Sequence, residues 1–182
     1  YLKPHYICPD CQDTGYIGRQ KCHCFRQAEI DLLYHQSNLR QVLERENFSH
    51  FREDYYPEDM IDPGTGLSSR RLAQTALAEA HRFIEDFSQT HPNLFLYGST
   101  GTGKTFLTNC IAKELLERSF SVLYFSSGQL FDRFSRHSFS SEKEDDDFRY
   151  HVFDCDLLII DDLGTEMVNA FVSSQLFLLI NE

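Results

Sequence analysis

Beyond residue 67 the apolar positions alternate between two rhythms. Leu72, Ala76, Ala80, Phe83, Ile84 and Phe87 recur at three- and four-residue spacing, which predicts a helix capped by Ser68 or Ser69 and running through Phe87. The short run LFLY at 94–97 then predicts a buried strand. A glycine-rich turn follows, and Leu107, Cys110, Ile111 and Leu115 restore the helical period. VLYFSS reads as a strand, GQLFDRFSRH as a helix, SSEKEDDD as a polar acidic loop around Asp145, Asp146 and Asp147, and DLLIIDD as a second buried strand. The segment ending in FLLINE places Val172, Leu176, Leu179 and Ile180 on one helical face. Short apolar β-type runs separated by helices predict an α/β fold, a parallel sheet with helices on both faces.

The first third has a different texture. Residues 1–26 hold four of the six cysteines and read as a small separate module. Residues 27–66 read as a connecting segment. Within it, Ile30, Leu33, Tyr34, Leu39, Val42 and Leu43 suit one or two short amphipathic helices, and FSHFREDYYPEDMIDPGTG has the prolines and glycines of loop. Residues 67–182 form the main domain.

Composition narrows the function. No apolar run approaches the roughly 18–20 residues that span a bilayer, and no secretory leader is visible at the start, although the chain does not begin with Met. A formal charge of −11 opposes a broad nucleic-acid surface, which needs excess Lys and Arg, and leaves room only for a local basic groove. A cytoplasmic setting, with thiolates in preference to disulfides, is the expectation.

The turn at 98–105, GSTGTGKT, satisfies G-x-x-x-x-G-K-[ST] between a predicted strand and a predicted helix, the context this phosphate-binding loop requires. Its residues Gly98, Ser99, Thr100, Gly101, Thr102 and Gly103 would wrap phosphate oxygens with backbone N–H groups. The following helix N-terminus, with Phe106 in its first turn, would add its own. Lys104 would reach the β- and γ-phosphates of ATP, and the Thr105 hydroxyl would ligate Mg²⁺. The partner acid should close another buried strand, and DLLIIDD supplies it. Asp161 would hold Mg²⁺ through water, and Asp162 sits where a carboxylate polarises attacking water. Asp162 is shorter than the Glu usual there in related ATPases, and Glu166 is either an assistant or a loop residue.

Cys8-x-x-Cys11 and Cys22-x-Cys24 are separated by ten residues containing Asp13-Thr14-Gly15. Four thiolates on two short turns are the donor set of a closed tetrahedral Zn²⁺ site, which stabilises a module too small for its own core and leaves no open position for catalysis. A redox dithiol needs only one such pair. His5 and His23 lie nearby and read as surface residues beside four thiolates, while Cys110 and Cys155 read as small packed hydrophobes.

Taken together, CPDCQDTGYIGRQKCHC, SNLRQVLERENFSHF, LFLYGSTGTGKTFLTNCIAKELL, VLYFSSGQLFDRF and DLLIIDDLGTE resemble the bacterial replicative helicase loaders of the DnaC/DnaI group, and within it the zinc-bearing DnaI-like branch. The resemblance implies an AAA+ ATPase that helps place the hexameric replicative helicase on DNA during primosome assembly. It implies a zinc module that contacts the helicase and an ATPase domain that binds ATP and single-stranded DNA; room for self-association through the ATPase domain and no membrane contact complete the expectation. Phe48 and Phe51 resemble the linker near the adenine, though on residue type alone they read as core. Arg133 and Arg136 resemble a segment leading to single-stranded DNA, though they read equally as solvated helix charges. The family continues into a sensor strand, an arginine finger and a helical lid that lie beyond this chain. The expectation is therefore an ATPase domain lacking its C-terminal part, which binds ATP or ADP and hydrolyses ATP poorly. Two other readings share the phosphate motifs. A transposition helper ATPase of the IstB type is not expected to carry the cysteine module, and a small-molecule P-loop kinase fits poorly with the double acid.

Overall fold

The computed structural model describes residues 5–33, 37–90, 92–137, 143–165 and 169–181. It resolves into two compact units, one formed by residues 1–38 with 115–182 and the other by residues 39–114.

The first unit begins with the cysteine-bearing turns. A two-residue ladder pairs β1 (Tyr16–Ile17) antiparallel with β2 (Gln20–Lys21), and α1 (His23–Leu33) follows at once. Its sheet is a parallel pair, β3 (Val122–Ser126) beside β4 (Leu157–Asp161), in register from Val122 opposite Leu157 to Ser126 opposite Asp161. Around it lie α5 (Ser127–His137), α6 (Lys143–Asp154) and α7 (Ala170–Asn181). Leu123, Phe125, Leu130, Phe131, Phe134, Phe148, Val152 and Val172 form the core, and Ile30 of α1 joins them at 1% exposure. Burying one such side chain stabilises by roughly 1.5–3 kcal/mol, so the helix behind the cysteine turns is part of this core.

Two polar devices fix the register. Ser121 N and Oγ both donate to Asp156 Oδ2 at 2.7 Å, and Asp156 N donates back to Ser121 Oγ at 3.0 Å. Leu157 N donates to Ser121 O at 3.0 Å, so the carbonyl of Ser121 faces β4. The peptide groups of Val122 therefore face the opposite edge, because successive residues of a strand alternate sides. There the Gln27 side chain meets them: Val122 N donates to Gln27 Oε1 at 2.8 Å, and Gln27 Nε2 donates to Val122 O at 3.3 Å. Gln27 Nε2 also donates to Asp31 Oδ1 at 2.7 Å.

The second unit is helical. The long α3 (Ser69–Thr90) buries Ala80, Phe83, Ile84 and Phe87, the face its periodicity predicts, and Arg71 N donates to the capping Ser68 Oγ at 3.2 Å. In α4 (Lys104–Glu117) Leu107, Cys110 and Ile111 are buried. Between α2 (Ser37–Arg45) and α3 the chain makes two 3₁₀ turns, Phe48–His50 and Glu53–Tyr55, and an Asx-type turn. In that turn Asp62 Oδ1 accepts from Gly64 N, Thr65 N and Thr65 Oγ1.

Two expectations are corrected. Residues 94–97 form no strand among the described residues: Leu94 and Leu96 are half-buried while Phe95 and Tyr97 are 72% and 83% exposed. The segment keeps the period-two alternation of extended chain but has no paired neighbour, and a strand exists only through its pairing. The acidic stretch around Asp145–Asp147 is also not loop, because α6 starts at Lys143. Carboxylates in a first helical turn complement the positive end of the helix dipole, so an acidic run is compatible with a helix start.

Candidate functional site

The phosphate-loop residues lie in the second unit, after the extended segment and before α4. Gly98, Gly101 and Gly103 take φ values of +144°, +79° and +89°, the left-handed region that side chains avoid. At Gly103 space excludes a side chain as well, since an added Cβ would sit 2.5 Å from Tyr56 Oη. The loop is braced by Thr102 Oγ1 donating to Ser99 O at 2.9 Å and Leu107 N donating to Gly103 O at 2.9 Å. Lys104 is the first residue of α4 and donates its Nζ to Gly98 O and Ser99 O, at 2.9 and 2.8 Å. Its ammonium thus lies across the mouth of its own loop. Ser99, Thr100, Gly101, Thr102 and Thr105 are exposed, and Phe106 is half-buried.

Aromatic residues from the connecting segment line this loop. Tyr56 Oη donates to Thr102 O at 3.3 Å, Tyr56 stacks on Phe51 at 5.8 Å between centroids, and Phe51 lies 6.4 Å from Phe106. Phe48 stacks instead on His81 at 4.3 Å, and Asn109 Nδ2 donates to Glu46 Oε2 at 2.6 Å. Sequence reasoning missed Tyr56, since nothing in a Tyr-Tyr-Pro loop signals a contact 46 residues away.

The acidic strand end lies in the first unit. Asp161 closes β4, and its Oδ2 accepts from the hydroxyl of Tyr124 at 2.6 Å, while its Oδ1 accepts from Asp162 N at 2.9 Å. Tyr124 pairs with Ile159 in register, so it shares a face with Asp161 two residues on. Asp162 turns the chain sharply, with φ +54°. Its carbonyl accepts from Ser127 Oγ and Thr165 Oγ1, each at 2.9 Å, which leaves its carboxylate exposed on a fixed turn. Tyr124, Ser127 and Thr165 carry no signal in the sequence. Glu166 lies outside the described residues.

The four cysteines converge. Their ligand atoms all lie within 4.8 Å of one another, with Cys8 Sγ to Cys22 Sγ at 3.8 Å and Cys11 Sγ to Cys24 Sγ at 3.5 Å. A tetrahedron of sulfurs 2.3 Å from Zn²⁺ has edges of about 3.8 Å, so the donor set fits the ion. Cys8, Cys11 and Cys22 are buried. The turn at Asp13-Thr14-Gly15 organises them: Asp13 Oδ1 accepts from Cys8 N at 2.8 Å, Thr14 Oγ1 donates to Cys11 O at 2.6 Å, and Gly15 N donates to Cys11 Sγ at 3.3 Å. Burial pushes the Cys11 thiol upward, but the Gly15 N–H and the neighbouring thiols outweigh it and bring it down to about 7. Burial, reinforced by the surrounding sulfurs, holds Cys24 well above the usual thiol range, and burial likewise raises Cys22. Cys110 and Cys155 pack as expected, and burial pushes each thiol up to about 12.

Arg133 and Arg136 both lie on α5. Arg133 sits over the ring of Phe148 at 5.5 Å, and Arg136 pairs with Asp132 at 2.7 Å. No helix among the described residues is long and apolar enough to cross a membrane.

Comparison with known proteins places these sites in context. Residues 66–182 match the bacterial DnaA ATPase domain. The chromosomal replication initiator protein DnaA of Ruegeria sp. (strain TM1040) is 38% identical over 116 residues, covering 59% of this chain and 24% of that protein. The DnaA of Aliarcobacter butzleri (strain RM4018) is 37% identical over 152 residues, covering 78% of this chain and 33% of its own length. The replicative helicase loader DnaC of Escherichia coli (strain K12) is 29% identical over 96 residues, covering 53% and 39%. The chain thus spans about a quarter to two fifths of the length of the curated relatives it matches. These matches bear out the resemblance to DnaC-like AAA+ proteins, whereas the zinc-bearing branch rests on the cysteines alone. The matched segment contains both the glycine-rich loop and the Asp161–Asp162 strand end, and the chain belongs to the bacterial DnaA ATPase-domain family of AAA+ proteins.

Proposed function

We propose that this chain binds and hydrolyses ATP as part of a replicative helicase loader, with the cysteine module as its handle for the helicase. The reading rests above all on one pairing: a phosphate-binding loop and a preformed four-sulfur cluster on the same chain. The similarity to DnaC supports it.

Residues 98–105 would cradle the phosphates, and Lys104 would exchange the carbonyls of Gly98 and Ser99 for phosphate oxygens, a swap that keeps its ammonium paired throughout. Thr105 and Asp161 would hold Mg²⁺, which supplies charge neutralisation on the phosphates, and Tyr124 keeps the Asp161 carboxylate oriented. Asp162 is proposed to polarise the attacking water. Phe51 and Phe106, 6.4 Å apart and inclined 41° to each other, offer apolar ring faces beside the loop against which a purine could pack. Cys8, Cys11, Cys22 and Cys24 would hold Zn²⁺ as a structural ion. Contact with single-stranded DNA through Arg133 and Arg136 would be weak and local, and self-association would run through the ATPase domain. The cytoplasm, where the thiols stay reduced, is the proposed setting.

The DnaA family match favours a second reading, an ATPase acting in replication initiation itself. The deciding experiment is retention of purified replicative helicase on the immobilised chain, with Cys8→Ser/Cys11→Ser and Lys104→Ala variants in parallel. The loader reading expects retention by the wild type, loss with the cysteine variant, and loss of ATP binding with Lys104→Ala. Failure of the wild type to retain helicase, with ATP binding intact, turns the assignment to the second reading.

A further inference from the structure

Among the described residues, a further polar side chain lies against the thiols, from between Cys22 and Cys24 at the start of α1. His23, the first residue of α1, places Nε2 3.4 Å from Cys8 Sγ and 3.1 Å from Asp10 Oδ2. The imidazole is mostly covered, at 22% side-chain exposure, and Asp10 stands outside it at 52%. One nitrogen therefore lies between two acceptors, a thiol sulfur and a carboxylate oxygen. A lone pair at Nε2 would point at both, so the chemistry places the proton there and makes Nε2–H the donor.

Another sulfur shows why a donor belongs at this place. Cys11 Sγ receives the Gly15 N–H at 3.3 Å. Four thiolates around Zn²⁺ carry a net charge of −2, and N–H groups aimed at the sulfurs spread that charge and fix the ligand geometry. His23 does this for Cys8 with a side chain, while Asp13 holds the backbone N–H groups of Ile7 and Cys8. Direct ligation by His23 is disfavoured by the sulfur spacings, since the four thiols already form the edges of a tetrahedron of the right size.

We propose that His23, braced by Asp10, is a positioning residue of the zinc site: its Nε2–H donates to the Cys8 thiolate and strengthens metal binding without touching the metal. This rests on the zinc reading above. Asp10 Oδ2 accepts from the same Nε2–H that faces the Cys8 sulfur, so the carboxylate draws the proton to that nitrogen and holds the ring against the cluster.

The test measures zinc affinity of the full chain by competition with a chromogenic chelator, and the visible spectrum of the Co²⁺-substituted protein, for wild type, His23→Ala, His23→Gln and Asp10→Asn. His23→Ala should weaken zinc binding tenfold or more, the scale of outer-shell losses. His23→Gln, whose amide N–H reaches a similar position, should recover most of that loss, and Asp10→Asn should lose less than His23→Ala. The Co²⁺ spectrum should keep its four-thiolate character in every variant. Equal affinity of wild type and His23→Ala overturns the proposal, as does equal loss in the Ala and Gln variants. A changed Co²⁺ spectrum in His23→Ala makes His23 a ligand and overturns it too. A wild type that retains no zinc refutes the zinc reading and this inference with it.

Discussion

Gly103→Ala tests whether the connecting segment packs against the phosphate loop as described. Two separate costs arise. The backbone at φ +89° penalises any Cβ by about 1–2 kcal/mol, whatever the surroundings. The new methyl would also lie 2.5 Å from Tyr56 Oη, so the phenol must move. Moving it sacrifices its bond to Thr102 O, about 0.5–1.5 kcal/mol, and disturbs its stacking on Phe51, a contact of similar size. Tyr56→Phe removes the obstruction, because the next ring atom, Cζ, lies 3.8 Å away, an ordinary contact. Gly103→Ala should therefore destabilise the nucleotide-free chain by about 2–4 kcal/mol when Tyr56 is present, and by about 1–2 kcal/mol when it is introduced together with Tyr56→Phe. The assay is equilibrium urea unfolding of wild type, the two single variants and the double variant. The expected coupling is about 1–2 kcal/mol, well beyond the few tenths that separate independent sites. Additive costs would show that the Tyr56 hydroxyl does not rest against Gly103, and the bracing of the loop by the connecting segment would fall with it.

Three further outcomes are expected. Gln27→Leu keeps the volume but strands the buried N–H and C=O of Val122, at about 1–3 kcal/mol for each unsatisfied group. Hydrogen exchange should then show the Val122 amide losing protection, and unchanged protection would contradict the pairing. Tyr124→Phe should lower stability by about 1 kcal/mol, since the bond to half-buried Asp161 is charge-assisted but partly screened; an unfolding midpoint equal to wild type would argue against that bond. For Cys110 and Cys155 the folded chain raises each thiol from 9.0 to about 12, so folding favours the neutral form. Their contribution is complete below pH 9 and is lost as pH rises toward 12, where the unfolded chain ionises first. Cys110, which is fully buried, should not react with iodoacetamide at about pH 8, below the ordinary thiol range, until the chain unfolds, and rapid native labelling there would refute its burial.

What the sequence made legible was local. The glycine spacing of 98–105, the acids after Leu157–Ile160, and the helical period of α3 each carry their physics within a dozen residues, and the structure places each as a loop, a strand end or a buried face. The misreadings share the opposite property. LFLY has the composition of a strand, but pairing depends on a neighbour that composition does not supply. The run Glu144–Asp147 reads as solvated loop only when its charge is weighed without the helix dipole. Gln27 is a polar residue in an amphipathic stretch, and its partner lies 95 positions away. His23 reads as a surface residue because four thiols already suffice, yet starting α1 at that residue turns its ring toward Cys8. Tyr56 and Tyr124 escape notice for a similar reason, since a tyrosine acquires a role only from what its hydroxyl meets.

Gln27 also bears on how the chain avoids its own kind. A short parallel pair presents rows of unpaired peptide groups along its margins, and such margins recruit strands from other chains. On the outer side of β3 the first peptide is already occupied, because a side-chain amide reproduces the donor and acceptor of a neighbouring backbone. Behind that amide stands a whole helix, held by Ile30 in the core, so an incoming strand would have to displace it. The helix that carries His23 and Cys24 thus also covers this margin of β3, and variants that loosen the cysteine turns should be watched for fibril or amorphous assembly.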